Sequence, residues 1–564
     1  MVKTRSKKWE SFLRFGIGIV LIILLNIIAN QYFFRIDLTE ENRYSITEAT
    51  KETLENLEDV VYVEVYLEGS FPSGFKRLQN AIRESLEEFR IYGGDNIQFE
   101  FIDPSQAAGK EAQNEFYARL AEKGIQPTNL FATEDGEKIE KLIFPGAIVS
   151  YGGEETAVML LKGNQAATPE ERLNQSIEGV EYELISAIHK LAVDNKKKIA
   201  LIKGHGELDS LEIAGMTNSL LEFYEVFHVN LPEKENLAEY DAIVVAKPDT
   251  VFSEADKYKI DQFIMNGGKA MFFIESMRVN MDSAGEEGTV AFPYQLNLED
   301  LFFNYGARIN NNLLQDLNSG AHPVVTGFMG DQPQIRILPW PYYPIINYFG
   351  DHPIVKNLDA VYTRFVSSID TVKADGITKT PLFYTSQYSR VLAAPVLVSL
   401  NSMREDIVPE NFTSGPIPVA YLLSGSFSSL YENRVIPANF DKEAFIQKGE
   451  PSKILIVADG DFVRNEINYQ NGTPYKLGYD PYMNVSFANQ DFLLNSMSYL
   501  IEGQGIIMAR AKEVKIRPLD KLKIENEELK WQLINLIVPI LIIILYGIGR
   551  YYYRKNKYST KGKN

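Results

Sequence analysis

Four consecutive residues, Gly204-His205-Gly206-Glu207, bring an imidazole and a carboxylate onto one turn of this 564-residue chain. They follow the apolar run 198–203, which reads as a buried strand, so the turn lies at the carboxyl end of that strand. His205 with Glu207 can serve as a general acid–base pair or as half of a metal site. The same residues also suit a tight turn whose glycines take positive φ and whose polar groups satisfy the loop, and this is the preferred reading. A second pair, Asp459 and Asp461, stands at another strand end, where carboxylates bind a cation or a hydroxyl-bearing ligand. There too a strand-to-loop turn explains Asp-Gly-Asp and is preferred. The third group is Trp340-Pro341-Tyr342-Tyr343-Pro344, which is either an aromatic platform for a glycan or peptide or the plug of a domain interface.

Several chemistries lose their residues altogether. A dinucleotide fingerprint needs a third glycine where the chain has Asp209, and Gly267-Gly268-Lys269 is followed by Ala270 without the upstream glycine of a P-loop. Any ATP drive then comes from a partner. GxSxG and HExxH are missing, and His189, His205, His228, His322 and His352 form no ligand-spaced cluster. There is no cysteine, which removes disulfides, thiolate metal sites, cysteine nucleophiles and lipidation at a lipobox. No enzyme activity, metal or cofactor is expected.

The elements that must position these groups are α/β in pattern. Residues 60–67 read as a strand, 75–92 as an amphipathic helix ended by two glycines, and 97–103 as a second strand. A helix at 111–123, a strand at 129–133, a strand pair at 142–151 and 156–162, and a helix at 175–192 follow. Ser45 with Glu48 has the form of a capping box before them. The order resembles a thioredoxin-like domain. After the polar linker 194–198, strands at 198–203, 241–248 and 269–276 with a helix at 253–266 predict a doubly wound parallel sheet covered on both faces. Residues 277–450 read as long loops with strands at 381–386, 395–400 and 417–425. The pattern returns at 453–462 and in the helix 489–502.

Apolar runs at 15–34 and 531–549 each have the length a bilayer-crossing helix needs. Their basic clusters lie on the terminal sides, so the positive-inside bias holds both ends in the cytoplasm and turns residues 35–530 outward. An uncleaved anchor is favoured over a signal peptide for the first run. The net charge of −18 is concentrated in the body between the basic tails, which excludes nucleic acid as a partner. Asn26, an amide inside the first run, suits packing on another membrane helix. The expected organisation is a tail 1–14, a span 15–34, a thioredoxin-like domain 35–195, a second α/β domain 196–510, a stalk 511–530, a span 531–549 and a tail 550–564.

The order of short motifs resembles the GldG family of gliding-motility-associated ABC-transporter auxiliary proteins. The motifs are Arg35-Ile36-Asp37-Leu38-Thr39 with Tyr44-Ser45, the turn 204–207, Asn266-Gly267-Gly268-Lys269, Arg364-Phe365-Val366-Ser367-Ser368, residues 459–462 and the helix holding Asn495. The resemblance implies a component of the inner membrane with a periplasmic body, working with an ABC permease and a cytoplasmic ATPase in gliding and associated secretion. Such proteins are often labelled substrate-binding. The second domain also resembles class I glutamine-amidotransferase-like folds, but their cysteine nucleophile has no counterpart here. A membrane-tethered glycan-binding or glycan-active envelope protein, or a pure scaffold, are the alternatives.

Overall fold

The computed structural model describes residues 7–31, 45–106, 109–134, 137–162, 168–193, 195–285, 288–404, 407–438, 440–468, 470–502, 505–510 and 521–559. The chain divides into two compact units, 1–513 and 514–564. The first begins with helix α1 (Lys7–Gln31), whose apolar stretch Phe12–Leu24 is exposed. Residues 32–44 of the expected span and its flank, and the side chain of Asn26, lie outside the described residues.

Helix α2 (Glu48–Glu55) is capped by Thr47, whose hydroxyl accepts the Thr50 N–H, where the sequence had pointed to Ser45. There follow β1 (Val61–Val65), α3 (Ser73–Gly93), β2 (Ile97–Phe101), α4 (Lys110–Glu122), β3 (Thr128–Glu134), β4 (Glu137–Ile143), β5 (Gly146–Tyr151), β6 (Glu154–Met159) and α5 (Pro169–Ala192). The sheet runs β2-β1-β5-β6, with β1 and β2 parallel and β5 antiparallel to both its neighbours. Val61, Val63 and Val65 alternate into a core filled by Leu78, Ile82, Leu86 and Phe89 of α3 and by Val180, Leu184 and Ile188 of α5. Thr168 and Glu171 close a capping box that starts α5. Strands β3 and β4 form a hairpin of their own. The sequence predicted one strand there, because the charges of Glu137-Lys138-Ile139-Glu140-Lys141 hide the second. The predicted strand 142–151 breaks at Phe144-Pro145, since proline has no N–H to give a ladder.

The larger sheet is built on β7 (Lys198–Lys203), α6 (Ala214–Leu221), β8 (Glu225–Asn230), β9 (Ala242–Ala246), α7 (Glu254–Met265) and β10 (Lys269–Phe273). Its eight strands run β8-β7-β9-β10, then Lys448–Val457, Pro418–Ser428, Ile377–Tyr384 and Tyr348–Phe349. The first five are parallel and the last three pair antiparallel. The expected all-parallel sheet is therefore half realised. Parallel neighbours need a helical crossover, and no α-helix lies among the described residues between Ile377 and Val457.

Alternate residues serve opposite faces, as the two-residue period of a strand requires. Ala200, Ile202, Ile243 and Val245 pack under α7 and α8 (Glu299–Tyr305), while Ile199, Leu201, Val244 and Phe273 pack under α6 and α9 (Asn489–Glu502). The chain then returns to the first sheet, where Ile506 and Ala509, the latter in α10 (Ile507–Arg510), join its core.

Trp340, Tyr342 and Tyr343 lie in the strand Gln332–Ile346 of a long hairpin with Ser319–Met329. A loop had been expected from the prolines, which a register shift between Ser319 and Ala321 accommodates. The three rings are buried in a core with Leu313, Val398 and Met403, and Trp340 is 0% exposed. Of the two readings, their burial favours an interior plug over an open aromatic platform, because the rings pack on one another.

The second unit is described as one helix, α11 (Lys521–Ser559), of 39 residues. Its stretch Glu527–Lys557 is long and apolar enough to cross a membrane, with Pro539 inside it. The charged residues 521–530 continue into it without a break, while 511–520 lie outside the described residues.

Candidate functional site

The parallel half of the large sheet presents its carboxyl ends along one edge, the side on which open α/β sheets bind ligands. Gly204-His205-Gly206-Glu207 follows β7 there. The His205 carbonyl accepts the N–H groups of Asp249 and Thr250, both at 3.0 Å. Gly206 has φ 70°, which favours glycine, and a Cβ on it would lie 1.6 Å from Asp249 Oδ1 and push that side chain aside. The His205 ring is stacked on Phe252 at 3.7 Å. Its Nδ1 lies 3.4 Å from Glu207 Oε1 and its Nε2 3.3 Å from Asp256 Oδ2. Asp256 in turn accepts from Ser253, the cap of α7, at 2.7 Å, and pairs with Lys259 at 2.9 Å. The side chains of His205 and Glu207 are 4% and 1% exposed, which favours the turn reading over the acid–base one. With one ring face on Phe252 and both nitrogens facing carboxylates, the ring clasps the turn to the start of α7.

Asp459 and Asp461 follow the strand Lys448–Val457, and the fold adds two residues beside them. Lys247 comes from the end of β9 and Glu275 from the end of β10. Lys247 Nζ lies 2.6 Å from Asp461 Oδ2 and 3.7 Å from Glu275 Oε2, and Arg464 reaches the other oxygen of Asp461 at 3.4 Å. Asp459 Oδ2 accepts the backbone N–H of Arg364 at 2.8 Å. Neither oxygen of Glu275 has a hydrogen-bond partner, nor has Asp459 Oδ1, and all three are buried.

Electrostatics divides the carboxyl groups sharply. Burial, reinforced by the Asp461 charge, pushes Asp459 up to about 7. Burial likewise raises Glu275 well above the usual carboxylate range, against the pull of Lys247. Burial acts on Asp461 too, but Lys247 and Arg464 together outweigh it and hold that group at about 2. For Lys247, burial favours the neutral amine, and the charges of Asp461 and Glu275 reverse this and raise it.

Oxygens of Glu275, Asp459 and Asp461 lie within 4.8 Å of one another, a spacing that suits a metal ion. The donor set falls short for calcium: both Asp461 oxygens are engaged by Lys247 and Arg464, which leaves Glu275 and one oxygen of Asp459 against the six to eight oxygens that such a site takes. The Lys247 ammonium balances the Asp461 charge, and burial favours the protonated forms of Glu275 and Asp459.

Arg364 and Arg464 lead from this cluster to a cavity of about 280 Å³, lined also by Met281, His322, Tyr343, Tyr362, Leu400, Asn465, Glu466, Ile467, Asp480 and Tyr482. The Arg364 guanidinium pairs with Glu466 at 2.5 Å and lies over the Tyr343 and Tyr362 rings at 5.3 and 5.1 Å. Burial, then the Arg364 charge, pushes His322 down to about 4 and keeps it neutral near pH 7.

Of the candidates named from sequence, Asp459 and Asp461 meet in the charge cluster and Tyr343 lines the cavity. Trp340 and Tyr342 pack behind it, and His205 with Glu207 form the separate clasp. Lys247, Glu275, Arg464, Glu466 and Asp480 went unnoticed in the sequence. For Lys247 and Glu275 a signal existed, since each follows an unbroken apolar strand, the position at which α/β sheets carry their functional groups.

A family model described as an ABC-type uncharacterized transport system, that of ABC-transporter auxiliary proteins, matches residues 196–496, which contain the whole large sheet, the charge cluster and the cavity. The chain belongs to this family. As a member it is an accessory protein of an ABC transport system. A second model, a domain of unknown function, matches residues 40–150 in the first sheet. An uncharacterized protein of Borreliella burgdorferi is 22% identical over 557 residues, covering 96% of this chain and 97% of that one. Among solved structures, the mmIFT52 N-terminal domain aligns at 10% identity and TM-score 0.31 over 54% of this chain and 96% of its own. A ThuA-like protein from Parabacteroides merdae aligns at 13% and 0.25 over 58% and 94%. Likenesses at those scores carry no argument about this auxiliary protein.

Proposed function

We propose that this auxiliary protein is a non-enzymatic subunit of an ABC transporter complex, anchored by helices at both ends in the cytoplasmic membrane with its α/β body on the periplasmic side. The family match over 196–496, in a chain with no P-loop of its own, carries the reading. ATP hydrolysis then belongs to a cytoplasmic partner, and the spans dock on a permease. Basic residues at both ends, Lys3 to Arg14 and Arg550 to Lys563, support cytoplasmic termini. Asn26 is the residue proposed to bond to a permease helix.

The strand order β2-β1-β5-β6, with one parallel pair, supports a thioredoxin-like first domain over 35–195. The parallel half-sheet supports an amidotransferase-like core in 196–510, used for binding or assembly in the absence of cysteine. Gliding motility and its associated secretion are the processes to which the motif order points. Deleting residues 1–34 or 531–564 is expected to abolish co-purification of the body with the permease. Undiminished co-purification after both deletions would sink the docking role.

A further inference from the structure

The cavity beside Arg364 has a chemistry that selects its occupant. Asp480 is 1% exposed. Its Oδ1 accepts the N–H groups of Tyr482 and Met483, both at 2.8 Å, while its buried Oδ2 has no partner. A carboxylate oxygen only accepts, so whatever fills the cavity beside it must bring the donor, and a ligand hydroxyl can do so.

The two guanidinium groups of the cavity are already matched. Arg364 is paired with Glu466 at 2.5 Å, and Arg464 with Glu212 at 2.7 Å as well as with Asp461. An anionic ligand would have to displace one of these carboxylates. A cationic ligand would meet the Asp480 carboxylate, but the Arg364 and Arg464 guanidinium groups line the same cavity and oppose a further positive charge. A paired guanidinium nevertheless keeps N–H groups able to reach a hydroxyl oxygen. At the rim, the half-exposed Tyr482 ring, in contact with His322, offers an apolar surface for C–H groups.

We propose that this cavity binds a small, neutral, polyhydroxylated ligand of the mono- or disaccharide class, one hydroxyl of which donates to Asp480 Oδ2. Its volume, about 280 Å³, lies at the small end of ligand pockets and suits one or two sugar rings. The assignment rests on the cavity alone and stands or falls independently of docking on a permease.

The test is saturation-transfer NMR on the full-length chain in a detergent without a sugar headgroup. The probes are glucose, galactose, N-acetylglucosamine and trehalose, with choline and glutamate as charged counter-probes. At least one sugar should give a saturable signal and neither counter-probe should. Asp480→Asn should weaken that sugar about tenfold or more, the order expected for a lost bond to a charged group, and Tyr482→Ala about two- to tenfold through the lost ring contact. Should Asp480→Asn fail to fold by its melting curve, the rim variant Tyr482→Ala decides. No sugar signal at tens of millimolar, binding of choline or glutamate instead, or sugar binding unchanged in the folded variants overturns the proposal.

Discussion

Lys247 Nζ meets Asp461 at 2.6 Å, although β10 separates the strands that carry the two residues, and Lys247 holds a left-handed φ of 51° at this position. A lysine rarely adopts that backbone conformation without a compensating interaction. Here the ammonium is the counter-charge of a buried carboxyl cluster.

Lys247→Met should therefore destabilise the protein by about 3–5 kcal/mol, the usual result of stripping one partner from a buried ion pair. Urea unfolding at neutral pH measures it. Adding Asp461→Asn should recover part of the loss, and strictly additive effects in the double-mutant cycle would argue against direct coupling.

The pH dependence follows from the two aspartates. Asp459 is raised from its ordinary 3.8 to about 7, so above pH 4 the native state holds a proton that the unfolded chain has released. Stability from this group falls as pH rises from about 4 to about 7, with a slope of at most about 1.4 kcal/mol per pH unit, and is level beyond. Asp461, lowered to about 2, contributes stability that is complete above its ordinary 3.8 and lost as pH falls toward 2. Glu275, also raised, loses stability over the same range, so Asp459→Asn should reduce the slope between pH 4 and 7 in denaturation curves, and an unchanged slope would assign the whole limb to Glu275 or another group.

His205→Ala should lower stability by about 1–3 kcal/mol, through loss of the stack on Phe252 and the contacts to Glu207 and Asp256. Complementation by the variant should be normal once its abundance matches the parent. Loss of function at full stability would instead restore an acid–base role. Gly206→Ala should be worse than His205→Ala, since its Cβ overlaps Asp249 and its φ is positive.

Arg510 ties the two sheets together within the first unit. It lies over the Tyr182 ring of α5 at 5.3 Å, and it reaches Asn495 and Asp491 of α9 at 3.2 and 3.3 Å. The Tyr182 hydroxyl also donates to Asn495 Oδ1 at 3.2 Å. Arg510→Met should cost about 3 kcal/mol and speed proteolytic cleavage at the linker 194–198. Cleavage at the parental rate would show that the apolar contacts alone hold the junction.

Much of the fold was legible because strands such as 198–203 and 269–273 are apolar between or after their terminal lysines and α3 and α5 carry helical periodicity. Sheet order was less so. The change from parallel to antiparallel after Lys448–Val457 depends on connections without helices, and their irregular sequence has no period to read. The aromatic plug misled for a related reason. Prolines at 339, 341 and 344 look like a loop, whereas a long partner strand with a register shift absorbs them.

By itself the sequence determined which chemistry is impossible here, since missing cysteine and P-loop residues cannot be restored by folding, and it determined the membrane-length apolar helix near the carboxyl end. It also placed His205, Glu207, Asp459 and Asp461 at strand ends, because a strand end is a local change in hydropathy. Only the tertiary structure decided what those residues do. Strand order, a matter of non-local pairing, set Lys247 and Glu275 beside Asp461 and closed Phe252 and Asp256 over His205. A carboxylate becomes a site, a clasp or a proton store according to the neighbours that pairing brings within a few ångströms.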